Sequence, residues 1–136
     1  MAKLKVSLVT PVGQVARGDA DMVTAPSVCG ELGILPDHRS LLADLTQGPV
    51  SVRTGGTTDT YAISGGFIEV DRNTVTILAE TAEPAAAIDV ERSKAALKDA
   101  EAKLHKLEYN TPEYNEEWAR AKRARVRLQV ANPRAS

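Results

Sequence analysis

Residues 66–79 read GFIEVDRNTVTILA, and their reading decides the fold of most of the chain. Ile68 and Val70, then Val75 and Ile77, occupy alternate positions on either side of Asp71-Arg72-Asn73. A period of two places apolar side chains on one face of an extended strand. Asn73 tolerates the positive φ that a tight turn demands. The stretch therefore predicts a β-hairpin with one buried face.

Working outward, KLKVSLVTP alternates at Leu4, Val6 and Leu8 before Pro11-Val12-Gly13 stops it. Further β-rich runs stand at 21–25, 50–54 and 60–64. Gly30, Gly33, Pro36, Gly48-Pro49, Gly55-Gly56 and Gly65-Gly66 separate them with turn chemistry. Many short strands with regular turns imply a sandwich or barrel. Aromatics make up only 4% of the chain, so Val, Ile, Leu and Ala must build the core.

The period changes after Pro84. The run AAAIDVERSKAALKDAEAKLHKL has few turn formers, and Leu97, Ala100, Leu104 and Leu107 fall on one helical stripe. Asp89 is placed to cap that helix. After EYNTPEYNEE, Thr111-Pro112-Glu113 supplies a cap, a proline at the first helical position and an early acid. A second helix is expected from about Pro112 to Val130, with Tyr114, Trp118, Ala121 and Leu128 as its apolar side and Pro133 ending it. The fold class is thus mainly β plus α. A β domain over 1–84 precedes an antiparallel two-helix hairpin over 85–136. The hairpin's inner face is rich in Ala, which buries little area at about 25 cal/mol per Å², so a detachable hairpin is expected.

The charge pattern narrows the function. The net charge of −1 argues against a dedicated nucleic-acid binder. Residues 1–84 carry a net −4 and residues 85–136 a net +3, with no acid after Trp118. Such asymmetry points the C-terminal part toward an acidic partner or an anionic ligand. Cys29, the single cysteine, leaves no internal disulfide and no Cys-based zinc site. No apolar run near the start is long enough for a signal peptide or membrane span, so membrane association is expected only through a partner.

No catalytic site assembles from the sequence. Asp37, His38 and Ser40 are too close in the chain to converge on one point, and a polar turn around Pro36 explains them better. His38 and His105 lack metal-ligand spacing. No phosphate-cradling glycine loop occurs. Arg120, Arg123 and Arg127 share one helical face. They fit either a solvated basic face or a row of forks for phosphate or carboxylate. Asp89 and Arg92 fit a cap and an exposed charge.

Together, VTPVGQV, GELGILPDHRSLL, YAISGGFIEV, VTILAETAE and KRARVRLQVA, in this order, resemble the ε subunit of F-type ATP synthases over nearly the whole chain. LPDHRSLL departs from the family's usual LPGHAPLL, which touches the local turn and contact surface. The resemblance implies a non-catalytic rotor subunit whose partners are the γ subunit, the c-ring and the α/β catalytic hexamer, where the active sites lie. It implies no required cofactor and a place on the cytoplasmic face of a bacterial inner membrane. It also implies a hairpin that extends to inhibit ATP hydrolysis. Glu31 and His38 are then expected to face partner loops, with Ile34, Leu35, Leu41 and Leu42 anchoring that segment in the core. Arg120, Lys122 and Arg125, with Arg123 and Arg127, would meet acidic segments of the hexamer. The stretch IDVERS resembles the family's Ile/Leu-Asp-x-x-Arg-Ala pattern for ATP at Ile88, Asp89 and Arg92, with Ser93 in place of Ala. Glu83 and the aligned Arg123 and Arg127 complete that implied site. The competing class is a free-standing β-sandwich adaptor for an acidic protein. A sugar-binding module is weaker, because the β region offers only Tyr61 and Phe67 as aromatics.

Overall fold

The computed structural model describes residues 2–132. The chain divides into two compact units, Met1–Pro84 and Ala85–Ser136.

The first unit is built from β1 (Leu4–Thr10), β2 (Gly13–Ala20), β3 (Met22–Ser27), β4 (Gly30–Ile34), β5 (Leu41–Leu45), β6 (Gly48–Thr54), β7 (Thr57–Ile63), β8 (Gly66–Asp71), β9 (Thr74–Ala79) and β10 (Ala82–Pro84). Their order is β10-β7-β6-β3-β5-β8-β9-β1-β2, with β4 paired to β3. The corner is β3–β5, joined through the single pair Ser27↔Leu45. There the sheet folds over, so that β10, β7, β6, β3 and β4 face β5, β8, β9, β1 and β2 as a β-sandwich. Leu4, Leu8, Ile68 and Ile77 from one layer meet Val23, Ile34 and Val50 from the other in one apolar core. All pairings are antiparallel except β1 with β9, which run parallel from Lys5↔Thr74 to Val9↔Leu78.

The 66–79 hairpin forms as expected. Ile68 pairs with Ile77 and Val70 with Val75 on the buried face. Arg72 (φ 49°) and Asn73 (φ 63°) both take the left-handed conformation that two-residue hairpin turns require. Gly66 shows why two glycines precede it. It sits at φ 139°, and a Cβ there would lie 1.9 Å from the Leu78 carbonyl oxygen of β9. Only glycine lets β8 start this close to its neighbour.

Four strands lie outside the runs expected from alternation. β2 is polar and mostly exposed at the sheet edge, so charge at Arg17 and Asp19 hides its period. β4 contains two glycines, β10 spans three residues, and β5 starts with two leucines in a row, which masks its alternation. Two of the expected anchors are corrected. Ile34 is fully buried and Leu41 packs against the core, but Leu42 is 73% exposed and Leu35 52% exposed. Leu42 pairs with Glu69 on the outward face of β5–β8, while Leu35 leaves β4 into the following loop.

The second unit holds a short 3-10 turn (Ala85–Ala87), α1 (Val90–Leu104) and α2 (Pro112–Ala131). Both expected caps are present. Asp89 accepts from the Arg92 N–H at 3.0 Å, and Thr111 from the Tyr114 N–H at 3.2 Å, with Pro112 opening α2. Leu107 lies past the end of α1. Trp118 is 48% exposed, and the buried positions of α2 are Ala121, Ala124, Val126 and Val130. The end assigned to Pro133 lies outside the described residues.

Candidate functional site

Charge is organised most densely between α1 and α2. Arg120 approaches Asp99 at 2.6 Å and Glu117 at 3.3 Å. Lys103 approaches the same two acids at 3.3 and 3.8 Å. Two acids and two bases thus close a ring, each helix supplying one of each sign. The hydrogen bond from Arg120, then that from Lys103, holds the Asp99 carboxyl below its ordinary value. Asp99, then Glu117, raises the Arg120 guanidinium. Separately, Arg125 reaches Glu101 at 3.4 Å. Lys103 meets Glu117, whereas Asp99, one turn earlier in α1, meets Arg120, about one turn later in α2, so the helices run antiparallel. Lys122 lies 5.7 Å from the Trp118 ring centre, a cation–π contact. Of the candidate partner contacts on α2, Arg120 and Arg125 therefore already hold carboxylates of the same chain.

The antiparallel register places the start of α1 beside the C-terminal half of α2. The first of these segments carries Asp89 and Arg92, the second Arg123 and Arg127. Ile88 and Ser93 are buried, whereas Asp89 and Arg92 are exposed. Glu83 belongs to the first unit, on β10 opposite Ala62.

In the first unit, Glu31 and His38 lie at opposite ends of β4. Glu31 pairs with Pro26 beside the β3–β4 turn. His38 sits in the loop beyond Ile34, its Nδ1 2.7 Å from the Arg39 carbonyl. The side chains around it turn to separate partners. Ser40 donates to Asp71 at 3.1 Å, and the Asp37 N–H donates to Asn73 Oδ1 at 2.6 Å. No nucleophile–base pair forms among these three, and they instead tie this loop to the β8–β9 turn.

On the outward face of β5-β8-β9-β1, Phe67 pairs with Leu78, and Leu78 with Val9. Phe67 is 51% and Leu78 48% exposed, and with Val9 they make an apolar row that ends at Asp44, opposite Phe67, while Leu42 stands in the next row opposite Glu69. An opening of about 130 Å³ lies between β1–β2 and β6–β7, floored by Val6, Leu8 and Val50. Small-molecule pockets run to roughly 300–1,000 Å³, so this one does not accommodate a nucleotide. Tyr61 at its rim is raised above the usual phenol value by burial first and by Asp59 second. Among the described residues, no group of three or more His, Cys, Asp or Glu is arranged for a metal ion. No described helix is long and apolar enough to cross a membrane.

Comparison with known proteins agrees with this two-part layout. The family model for the ATP synthase delta/epsilon chain β-sandwich domain matches residues 3–85. The model for the long α-helix domain of the same chain matches residues 87–132. An ATP synthase epsilon chain of Halalkalibacterium halodurans is 47% identical over 96% of this chain and 98% of its own. One from Citrifermentans bemidjiense is 42% identical over 98% and 96%. Among solved structures, a chain of the Euglena gracilis mitochondrial ATP synthase (OSCP/F1/c-ring) superposes with a TM-score of 0.72 at 26% identity, covering 98% of this chain and 79% of that one. A chain of the Tetrahymena thermophila central stalk/c-ring structure shares the fold, with a TM-score of 0.61 at 19% identity, covering 96% of this chain and 97% of that one.

Proposed function

The chain belongs to the delta/epsilon family of ATP synthase as an epsilon subunit, and on that premise we propose that it is a non-catalytic element of the central stalk which couples rotation to catalysis and restrains ATP hydrolysis through its hairpin. The observation that carries this reading is the division at Pro84 into a well-packed sandwich and a hairpin with a thin seam. The sandwich core is built from fully buried Leu, Ile and Val, whereas the smallest apolar side chain, Ala, lines the helix seam at Ala100, Ala121 and Ala124. Burial scales with area, so the helices are held to each other far less firmly than the sandwich layers.

The sandwich serves as the rotor anchor. The adjacent pair Phe67 and Leu78 suits an apolar surface of the γ subunit, because contiguous exposed apolar side chains mark association sites. Glu31, beside the exposed β3–β4 turn, suits the polar loops of the c-ring, and His38 at the far end of β4 makes a separate contact. The active sites lie in the α/β hexamer. The complex holds the chain peripherally on the cytoplasmic face of a bacterial inner membrane. When the hairpin extends, the basic residues of α2 meet acidic segments of the hexamer.

ATP is the regulatory ligand proposed for the closed hairpin. Arg92, Arg123 and Arg127 supply charge for phosphates, and Asp89 an acceptor for the adenine amino group. A ligand of the closed state alone favours that state and so opposes inhibition. Calorimetric titration of the isolated chain tests this, with and without Mg²⁺. Heat that disappears in Arg123→Gln/Arg127→Gln is expected, and no heat at millimolar ATP removes ATP from the proposal.

The main experiment compares a reconstituted hexamer–γ complex carrying the full chain with one carrying residues 1–84. Assembly in both cases, with ATP hydrolysis restrained only by the full chain, is expected. Equal hydrolysis rates would defeat the inhibitory reading and leave the anchoring role standing.

A further inference from the structure

The ion pairs between α1 and α2 have a specific arrangement around the seam. At roughly 100° per residue, Arg120 and Arg125 stand on opposite flanks of the stripe formed by Ala121 and Ala124. Asp99 and Glu101 likewise flank Ala100. Asp99 meets Arg120 on one side and Glu101 meets Arg125 on the other. The α1 surface offered to α2 is therefore an apolar stripe, narrowed at Ala100, with a carboxylate on each flank at that point. Close approach depends on the stripe being small, and each flanking pair fixes the register.

Any acidic partner that binds α2 through Arg120 and Arg125 meets guanidinium groups that already have carboxylates. Arg120 keeps Glu117 of its own helix when α1 leaves. Arg125 loses Glu101 outright.

We propose that Asp99 and Glu101 are an internal decoy: α1 mimics the acidic helix that α2 docks against, so hairpin opening and partner docking are one exchange of carboxylates on Arg120 and Arg125. The inference rests on the inhibitory reading above and adds the chemistry of the partner surface. That surface is a helix with an apolar stripe, a small side chain at the point of contact, and an acid on either flank of it. Like is exchanged for like, so the net gain on docking is small and the two hairpin states stay close in free energy. Such a balance lets a modest differential ligand shift the population.

The test uses the full chain, with Asp99→Asn/Glu101→Gln removing the decoy charges while keeping side-chain size and every base of α2. In the isolated chain, spin labels at Ala95→Cys and Gln129→Cys (with Cys29→Ser) read the separation of the helices at the open end of the hairpin. An exposed pair is worth little, so each lost pair should lower the closed-to-open ratio about two- to fivefold. In the hexamer–γ complex the same variant should inhibit ATP hydrolysis more strongly than wild type by a similar factor. Asp99→Glu, which keeps the carboxylate, should retain wild-type values in both measurements.

Two results overturn the proposal. One is an opened hairpin with unchanged or weaker inhibition, which means the released bases are not what docks. The other is a label distance unchanged by the substitutions, which means the carboxylates do not hold the hairpin. Absence of inhibition by wild type defeats the underlying inhibitory reading instead. In that case the label distances still decide whether Asp99 and Glu101 act as a latch.

Discussion

Gly66→Ala isolates the close approach of β8 to β9. Two costs add. At φ 139° an alanine occupies backbone space open essentially to glycine alone, which costs about 1–3 kcal/mol. Its Cβ would also stand 1.9 Å from the Leu78 carbonyl oxygen and 2.9 Å from the Ala79 Cα. Both are backbone atoms that cannot swing aside, so β8 must shift in a packed core, at a further cost of about 1–3 kcal/mol. The sum, about 2–6 kcal/mol, is a large part of the roughly 5–15 kcal/mol that holds a typical domain. Gly55→Ala is the control. Gly55 has φ 60°, and a Cβ there meets nothing within 4 Å, so only the left-handed backbone penalty of about 1–2 kcal/mol applies. Amide hydrogen exchange at Ile68 and Ile77, both in the sandwich core, reads the stability of the first unit directly. Fluorescence of Trp118, the single tryptophan, follows the hairpin in the same sample. Protection should fall far more in Gly66→Ala than in Gly55→Ala. Equal losses in the two variants would refute the steric argument.

Two other perturbations separate surface from core. Phe67→Lys, which faces Asp44, should leave urea stability within about 0.5 kcal/mol, because the side chain is half exposed, yet abolish co-purification with γ; retained co-purification removes this face from the anchor. Asp21 is held below its ordinary carboxylate value by the Lys3 ammonium first and the Gly55 N–H second. A depressed folded pKa means stabilisation that is fully present above the unfolded value near 3.8 and lost as pH falls through the folded one. Asp21→Asn should therefore be less stable than wild type at neutral pH and flatten the acid limb of stability below about pH 4. Urea midpoints measured against pH check this, and parallel limbs in both proteins would contradict it.

How far the structure was legible in the sequence varies with the kind of signal. The β8–β9 hairpin and both helices were readable because their cues are local: alternation around Asn73, and caps at Asp89 and Thr111. β2 and β4 escaped because edge position, charge and glycine remove the alternation that marks a half-buried strand. Leu41 and Leu42 were both read as anchors, but neighbours in a strand point to opposite faces, so only Leu41 packs inward. Periodicity grouped Arg120 with Arg123 and Arg127, but it carried no information on Asp99. That acid is 21 positions away, and the pairing depends on how the turn between the helices sets their register. Gly66 was visible as a motif residue, although the reason for it, a backbone oxygen on the next strand, exists only in three dimensions.

The parallel pairing of β1 with β9 sets a timetable for the sandwich. Lys5 through Val9 find their partners in Thr74 through Leu78, almost a whole unit later in the chain. At roughly 5–20 residues per second, the emerging first strand waits several seconds for that partner to be synthesised. The β1–β2 hairpin can form at once, but Leu4, Val6 and Leu8 then present an uncovered face until β8 and β9 arrive. Closing so long a loop makes completion of this unit slow for its size. The first strand is thus sealed only when the unit is almost fully synthesised. During synthesis, Leu4, Val6 and Leu8 form the surface most in need of shielding by a chaperone.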